Sequence, residues 1–411
     1  MISPAELICS RRVVVCVGTG GVGKTTVAAS LALEGARLGR RALVLTIDPA
    51  RRLADALGVD ALGNRPSELA AERRDSLGIH GEGRLFALML DMKRTFDDLV
   101  ERFAENADAR ERIFGNRIYQ HVSDALAGSA EYAAMEKVYE LCESGDFDLV
   151  VVDTPPSQHA LDFLDAPQRL LEFLDSRLVH VLLHPAFAAG RFGFRLFHRT
   201  AQRAIQLIEK VSGVSFLEDV SEFLLAFEGM SEGFRARATR VRQLMTGPET
   251  GFVLVAGASA GAVRGAVDFL DHLEESGVPL VGVVVNRIRL WPPGEAGALP
   301  EALSEDGDAA ADTALLAQAL VANGLEPARA DEAARAAVEV AKGYASLVRL
   351  DARCTAELRF RALQDGRFFC RVPEFPRDVH DLDGLMRIGG FLVDDERRRT
   401  ADGSSAAPVP E

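Results

Sequence analysis

One run, Val13 to Thr26 (VVVCVGTGGVGKTT), constrains this chain more than any other. An apolar stretch breaks into Gly18, Gly20, Gly21 and Gly23 and closes on Lys24, Thr25 and Thr26. The spacing is G-x-x-x-x-G-K-[ST], with Gly18, Gly23, Lys24 and Thr25 at its fixed positions and Thr19 and Val22 within the loop. Val13 to Val17 reads as a short buried strand, and the Ala- and Leu-rich Val27 to Leu38 as the helix after it. Glycines let the connecting backbone turn sharply and bring its N–H groups close to phosphate oxygens. The helix N-terminus adds partial positive charge. Lys24 would reach the β- and γ-phosphates of a nucleotide, and the Thr25 hydroxyl would ligate Mg²⁺. The competing reading is a glycine-rich turn that merely precedes a helix.

Later runs repeat the buried-strand pattern. Arg41 to Ile47 (RALVLTI) runs straight into Asp48-Pro49-Ala50, and Pro49 disfavours helix at Asp48, which keeps that carboxylate on a strand-end loop. Asp148 to Val152 (DLVVV) delivers Asp153 at its end. Near-continuous apolar strands joined by helices predict an α/β fold with a mostly parallel, doubly wound sheet, whose ligands sit beyond the strands' C-terminal ends. Further strands are expected at Leu85 to Leu90, Gly251 to Ala256, Pro279 to Val285 and Arg367 to Val372, with helices at Ala260 to Glu275, Thr313 to Leu363 and Leu382 to Leu392. Asn64 to Gly83 reads as a loop with a short helix.

Two stretches, about 93–145 and 160–246, have helical spacing and interrupt the strand pattern, so an inserted α-helical subdomain is expected. The second holds Phe187, Phe192, Phe194, Phe197, Phe216, Phe223, Phe227 and Phe234. Either these rings form the insert's own core, or they line an apolar groove for a client segment. The nucleotide domain is expected over 1–290 and 313–393, joined by an acidic Pro/Gly linker at 291–312 and followed by a disordered tail at 394–411.

With 48% hydrophobic residues the chain can bury a large core. A formal net charge of −14 without an uninterrupted basic cluster argues against nucleic acid as a partner. No apolar stretch is long enough to span a bilayer and no basic leader precedes an apolar core, so a cytoplasmic protein without a transmembrane segment is expected. Cys9, Cys16, Cys142, Cys354 and Cys370 are dispersed with no C-x-x-C pair, the pattern of reduced thiols.

A phosphate cradle at 18–25, the metal-side carboxylate of Asp153 and the further carboxylate of Asp48 are the parts phosphoanhydride hydrolysis needs, because its catalysis is mainly positioning and charge stabilisation. Position alone leaves Asp48 two roles, orienting water or capping the helix that follows.

The runs GTGGVGKTT, TIDPARRLADAL (46–57) and DTPPSQHALDFL (153–164) resemble the ArsA family of ATPases. That family includes the arsenite-pump ATPase and the targeting factor for tail-anchored membrane proteins, within the wider MinD/ParA class. The resemblance implies ATP and Mg²⁺ as cofactors and Asp48 as the first-switch residue that positions attacking water. Asp153 would open the second switch; Thr154 and His159 match its pattern. Asn286 would contact adenine, with Val372 to Val379, including Pro373, beside the ring. It also implies a homodimer and, by extension, a hydrophobic helix or membrane-associated partner. Two features depart from the family. Thr19 stands where the family has a lysine that reaches the partner subunit's nucleotide, and a threonine is too short and uncharged for that contact. The family's arsenite- and zinc-binding cysteines have no counterparts, so no stimulation by arsenite is expected. The leading reading is a Mg²⁺-dependent ATPase that couples nucleotide state to a partner. The alternative is a non-hydrolysing nucleotide-dependent adaptor; a kinase would need an acceptor pocket that no motif supplies.

Overall fold

Val13–Val17 forms β1, buried along its whole length at the centre of an eight-stranded sheet. The computed structural model describes residues 2–47, 52–59, 62–69, 71–116, 119, 129–155, 172, 231–292, 299–300, 303 and 309–393. Asp48, Pro156 to His159, the phenylalanines from Phe187 to Phe227 and the tail at 394–411 lie outside these residues.

The other strands are β2 (Arg41–Thr46), β3 (Ser67–Glu68), β4 (Arg84–Met89), β5 (Leu149–Asp153), β6 (Thr250–Gly257), β7 (Leu280–Ile288) and β8 (Phe368–Pro373). They line up as β3-β4-β2-β5-β1-β6-β7-β8, all parallel except the short edge strand β3. From β1 the chain first builds towards β2 and β4, then returns through β5 to β1's flank and continues on the other side through β6. The order therefore reverses at β1, and the crevice beyond its C-terminal end is where doubly wound sheets take ligands.

Side-chain alternation gives the central strands two buried faces. Val13, Val15 and Val17 join a core with α7 (Ser129–Ser144), α8 (Ser231–Thr246), α9 (Ala260–Glu275) and the C-terminal half of α11 (Pro327–Gln364). Val14 and Cys16 join the opposite core with α1 (Pro4–Ser10), α2 (Lys24–Arg37), α3 (Arg52–Leu57) and α12 (Leu382–Val393). Each buried Leu, Ile or Phe contributes about 1.5–3 kcal/mol. Leu385, Ile388, Phe391 and Leu392 thus anchor α12 firmly against this face.

Local signals account for many helix ends. Ser3 and Glu6 close a capping box on α1, with Pro4 in its first turn. Arg40 ties that helix to the sheet by donating to the carbonyl oxygens of Ile8, Arg11 and Asp148. Asp91, Asn106 and Ser259 cap α5 (Met92–Phe103), α6 (Ala107–Gly115) and α9 through their side chains. The Asn64 to Gly83 region holds α4 (Ala71–Arg74).

The Ala-rich region expected from Thr313 is two helices. α10 (Ala310–Ala322) starts three residues ahead of that expectation, inside the expected linker, and Gly324, at φ +95, separates it from α11. Pro327 suits the first turn of α11, where its missing N–H costs no hydrogen bond. α11 runs about 57 Å at 1.5 Å per residue. Its Leu358 and Ala362 enter the core, while Leu315 on α10 and Val340 on α11 are 63% and 73% exposed.

Of the two helical stretches that interrupt the strand pattern, α7 and α8 both reach the sheet. Met135 and Val138 from one, and Val241 and Met245 from the other, belong to its core. Arg237 of α8 binds Glu136 and Glu143 of α7, each at 2.6 Å, and stacks on Tyr139 at 4.0 Å. Burial pushes the Glu136 carboxyl up, against the pull of Arg237.

Candidate functional site

The loop between β1 and α2 is held from both sides. Gly18, at φ +146, lies against β6 so closely that a Cβ would collide with the Val255 carbonyl oxygen. Gly23, at φ +88, sets the start of α2, and a Cβ there would strike the Asn286 amide of β7. That amide donates from Nδ2 to the Val22 carbonyl at 2.9 Å. At Gly21, in contrast, nothing lies within 4 Å of an added Cβ, so the loop's crest is open.

No side chain caps the first turn of α2, which begins with Lys24, Thr25 and Thr26. Backbone N–H groups at a helix start without a side-chain cap are the kind of donors that suit an anion. Lys24 is only 6% exposed, and its Nζ donates to the carbonyls of Gly18 (2.9 Å) and Thr19 (3.0 Å). The ammonium is thus positioned beneath the loop, where phosphate oxygens would compete for it.

Beside the loop, three parallel strands bring a polar row together. Cys16 of β1 and Thr46 of β2 are both register partners of Asp153 on β5. Thr46 Oγ1 donates to Asp153 Oδ2 at 3.0 Å, and both residues are 1% exposed. Thr154 Oγ1 donates to the Cys16 carbonyl at 2.8 Å, which fastens the residue after Asp153 to β1. Burial, and after it the negative charge of Asp153, pushes the Cys16 thiol far up, against Lys24. The thiol stays neutral and is no nucleophile.

The donors of this half are hard oxygens, the Thr25 hydroxyl in the first turn of the helix that β1 feeds and the Asp153 carboxylate at the end of the neighbouring strand β5. That donor chemistry fits Mg²⁺, which is held by one or two carboxylates, hydroxyls and the substrate's own phosphates.

On the far side, β7 is irregular between Val285 and Ile288, and Arg287 sits at φ 55, in the left-handed region. A non-glycine residue there costs roughly 1–2 kcal/mol. The kink accompanies Asn286's turn towards the loop, while Arg287 Nη2 reaches Asp378 Oδ1 at 3.3 Å. Glu374 N donates to the Ile288 carbonyl at 2.8 Å, drawing the segment after Pro373 alongside. Within that segment Phe375 packs on Phe391 and lies under Arg387 of α12.

The expected site residues Gly18 to Thr26, Asp153, Asn286 and Pro373 thus all lie at the C-terminal ends of β1, β5, β7 and β8, or in the loop and helix that β1 feeds. Asp48 follows β2 but is outside the described residues, as is His159. Thr19 turns towards its own chain, with Cγ2 3.1 Å from the position a Cβ would take at Gly265 of α9. Thr46 was not among the sequence candidates. Its sequence signal is a single hydroxyl near the end of the run Ala42 to Ile47, otherwise apolar.

The sequence model of the family described as anion-transporting ATPase matches residues 11–295, from the start of β1 past Asn286. Pro373, α10, α11 and α12 lie beyond it. A protein named ATPase GET3 from Malassezia globosa is 26% identical over 282 residues, covering 68% of this chain and 73% of its own length. An ATPase get3 from Schizosaccharomyces japonicus is 26% identical over 276 residues, 67% of this chain and 74% of its own. A Halobacterium salinarum protein, provisionally described as an arsenical pump-driving ATPase, is 32% identical over 160 residues, 38% of this chain and 24% of its own.

Proposed function

The chain belongs to the anion-transporting (ArsA) ATPase family, and from that premise we propose that it hydrolyses ATP in a Mg²⁺-dependent cycle that couples nucleotide state to a bound partner. The observation that carries this reading is the convergence of the Lys24 loop and the Thr46–Asp153 pair at one end of the sheet. Lys24 and the backbone donors of residues 20–25 would bind the β- and γ-phosphates. Asn286 and Pro373 would flank the base, Asn286 using the part of its amide not given to Val22. Thr25 and Asp153 would hold the metal, which when bound supplies charge neutralisation at the phosphate oxygens. Asp48 would orient the attacking water.

Cross-strand pairing of Thr46 with Asp153 would keep that carboxylate in place before substrate arrives, which is what a reaction dominated by positioning requires. The partner reading rests on the family resemblance. It points to a homodimer in the cytoplasm whose helical region between β5 and β6 engages an apolar helix. Among the described residues no helix is long and apolar enough to cross a membrane.

Single-turnover hydrolysis of ATP tests the enzyme reading. The wild type should turn over, and Asp48→Asn should slow the chemical step about 100-fold or more, as loss of a water-orienting carboxylate does. Equal, negligible rates in both would leave a non-hydrolysing adaptor. The adaptor reading has one observation of its own in Thr19, which turns inwards towards Gly265 and carries no charge for a neighbouring nucleotide.

A further inference from the structure

We propose that Thr46 is a positioning residue for the metal-side carboxylate, holding Asp153 in the orientation that binds the Mg²⁺ of a Mg²⁺–nucleotide. The inference rests on the reading of Asp153 as that carboxylate and adds a residue from a different strand to the site.

The terminal torsion of an aspartate is broad and roughly two-fold, so a carboxylate at a strand end does not define its own plane. A threonine is stiff at χ1, and in the middle of a sheet its backbone is set by two neighbours. Thr46 is paired with Met89 on one side and Asp153 on the other, which presets the direction of its hydroxyl. That hydroxyl donates to Asp153 Oδ2 at 3.0 Å. Both side chains are shielded from water, so solvent does not screen the bond and a wrong rotation of the carboxylate has no water to compensate it.

The arrangement divides the work between strands. Thr154 is held by the Cys16 carbonyl of β1, and Asp153 by the Thr46 hydroxyl of β2. The Asp-Thr pair that opens the segment after β5 is therefore clamped between the strand that carries the phosphate loop and the strand that leads into Asp48. β2 serves both carboxylates, one through its last residue and one through the chain it delivers. Partners of metal-binding carboxylates that hold them by hydrogen bonds typically govern metal affinity about 10- to 100-fold.

The test measures Mg²⁺ without turnover. The full chain is titrated with adenylyl imidodiphosphate by calorimetry, once in EDTA and then across a Mg²⁺ series. Thr46→Val keeps the shape and the strand preference but removes the donor. Its Mg²⁺ midpoint should rise about 10- to 100-fold, while the affinity in EDTA stays within about twofold of wild type. Thr46→Ser should restore most of the midpoint, short of wild type because serine is looser at χ1. An unchanged midpoint in Thr46→Val overturns the proposal. So does an equal loss in EDTA, which would make Thr46 a general support of the pocket. If Thr46→Val fails to fold, Thr46→Cys, similar in size and a weak donor, reads the same midpoint. Should wild-type affinity itself prove indifferent to Mg²⁺, it is the metal reading of Asp153 that fails.

Discussion

Gly23 carries two constraints at once. Its φ of +88 belongs to the left-handed region, and its missing Cβ leaves room for the Asn286 amide that holds Val22. Alanine there should cost about 1–2 kcal/mol for the backbone alone. It should also push Asn286 away from the loop, so nucleotide affinity is expected to fall about tenfold or more, one hydrogen bond and the loop's shape being lost together. Asn286→Ala separates the two effects, since it should weaken nucleotide binding with a smaller loss of thermal stability. Wild-type affinity in Gly23→Ala would show that Asn286 does not shape the loop. Position 23 was legible in the motif, whereas its contact with a residue 263 positions later was not.

Among the elements, α2 and α12 meet at a second close approach. Gly389 of α12 lies so near Glu34 of α2 that a Cβ would collide with its carboxylate. Glu34 is buried, and burial pushes its carboxyl above the usual range, opposed by Arg37 at 2.6 Å. A carboxyl raised on folding supports the folded state fully at low pH, and that support is lost as pH rises through its folded pKa. Glu34→Gln removes the penalty, so its thermal midpoint should exceed that of the wild type at about pH 8 by more than at about pH 4.5. Midpoints measured in both buffers check this, and a difference that does not change with pH would show that the carboxylate is not penalised. The neighbouring pair Arg37 is half-exposed and should offset little of the change.

Element ends show how far local chemistry reaches. α9 runs over Ala260–Glu275 as its spacing predicts, because Ser259 caps one end and Gly277, at φ +65, follows the other. The Ala-rich stretch Thr313 to Leu363 has helical spacing throughout. Asn323 and Gly324 divide it, and the apolar composition that continues on both sides hid the turn. Helical periodicity in 93–145 and 160–246 is equally plain, but not the destination of α7 and α8, since an apolar stripe does not say which surface covers it.

For the whole molecule, the family reading carries a homodimer, and the inward-facing Thr19 shapes what to expect of it. Sedimentation of the full chain with adenylyl imidodiphosphate and Mg²⁺ should give twice the monomer mass, and Thr19→Ala should leave that mass unchanged, because the side chain packs near Gly265 of its own chain. Monomer in every nucleotide state would remove the dimer from the reading. Loss of the dimer in Thr19→Ala would place that residue at the interface.

The sequence by itself determined the class of the fold and the family to which the chain belongs. Buried parallel strands must be near-continuously apolar, and the glycine loop between strand and helix carries the family's spacing, so local composition and spacing suffice for both. Only the tertiary structure decided which residues meet. Thr46 touches Asp153 because β2 and β5 are neighbours in register, and Asn286 touches Val22 from the stretch of β7 that is irregular beside Arg287. Strand order and register follow from how two cores close over both faces of the sheet, a balance over the whole chain that no window of sequence contains.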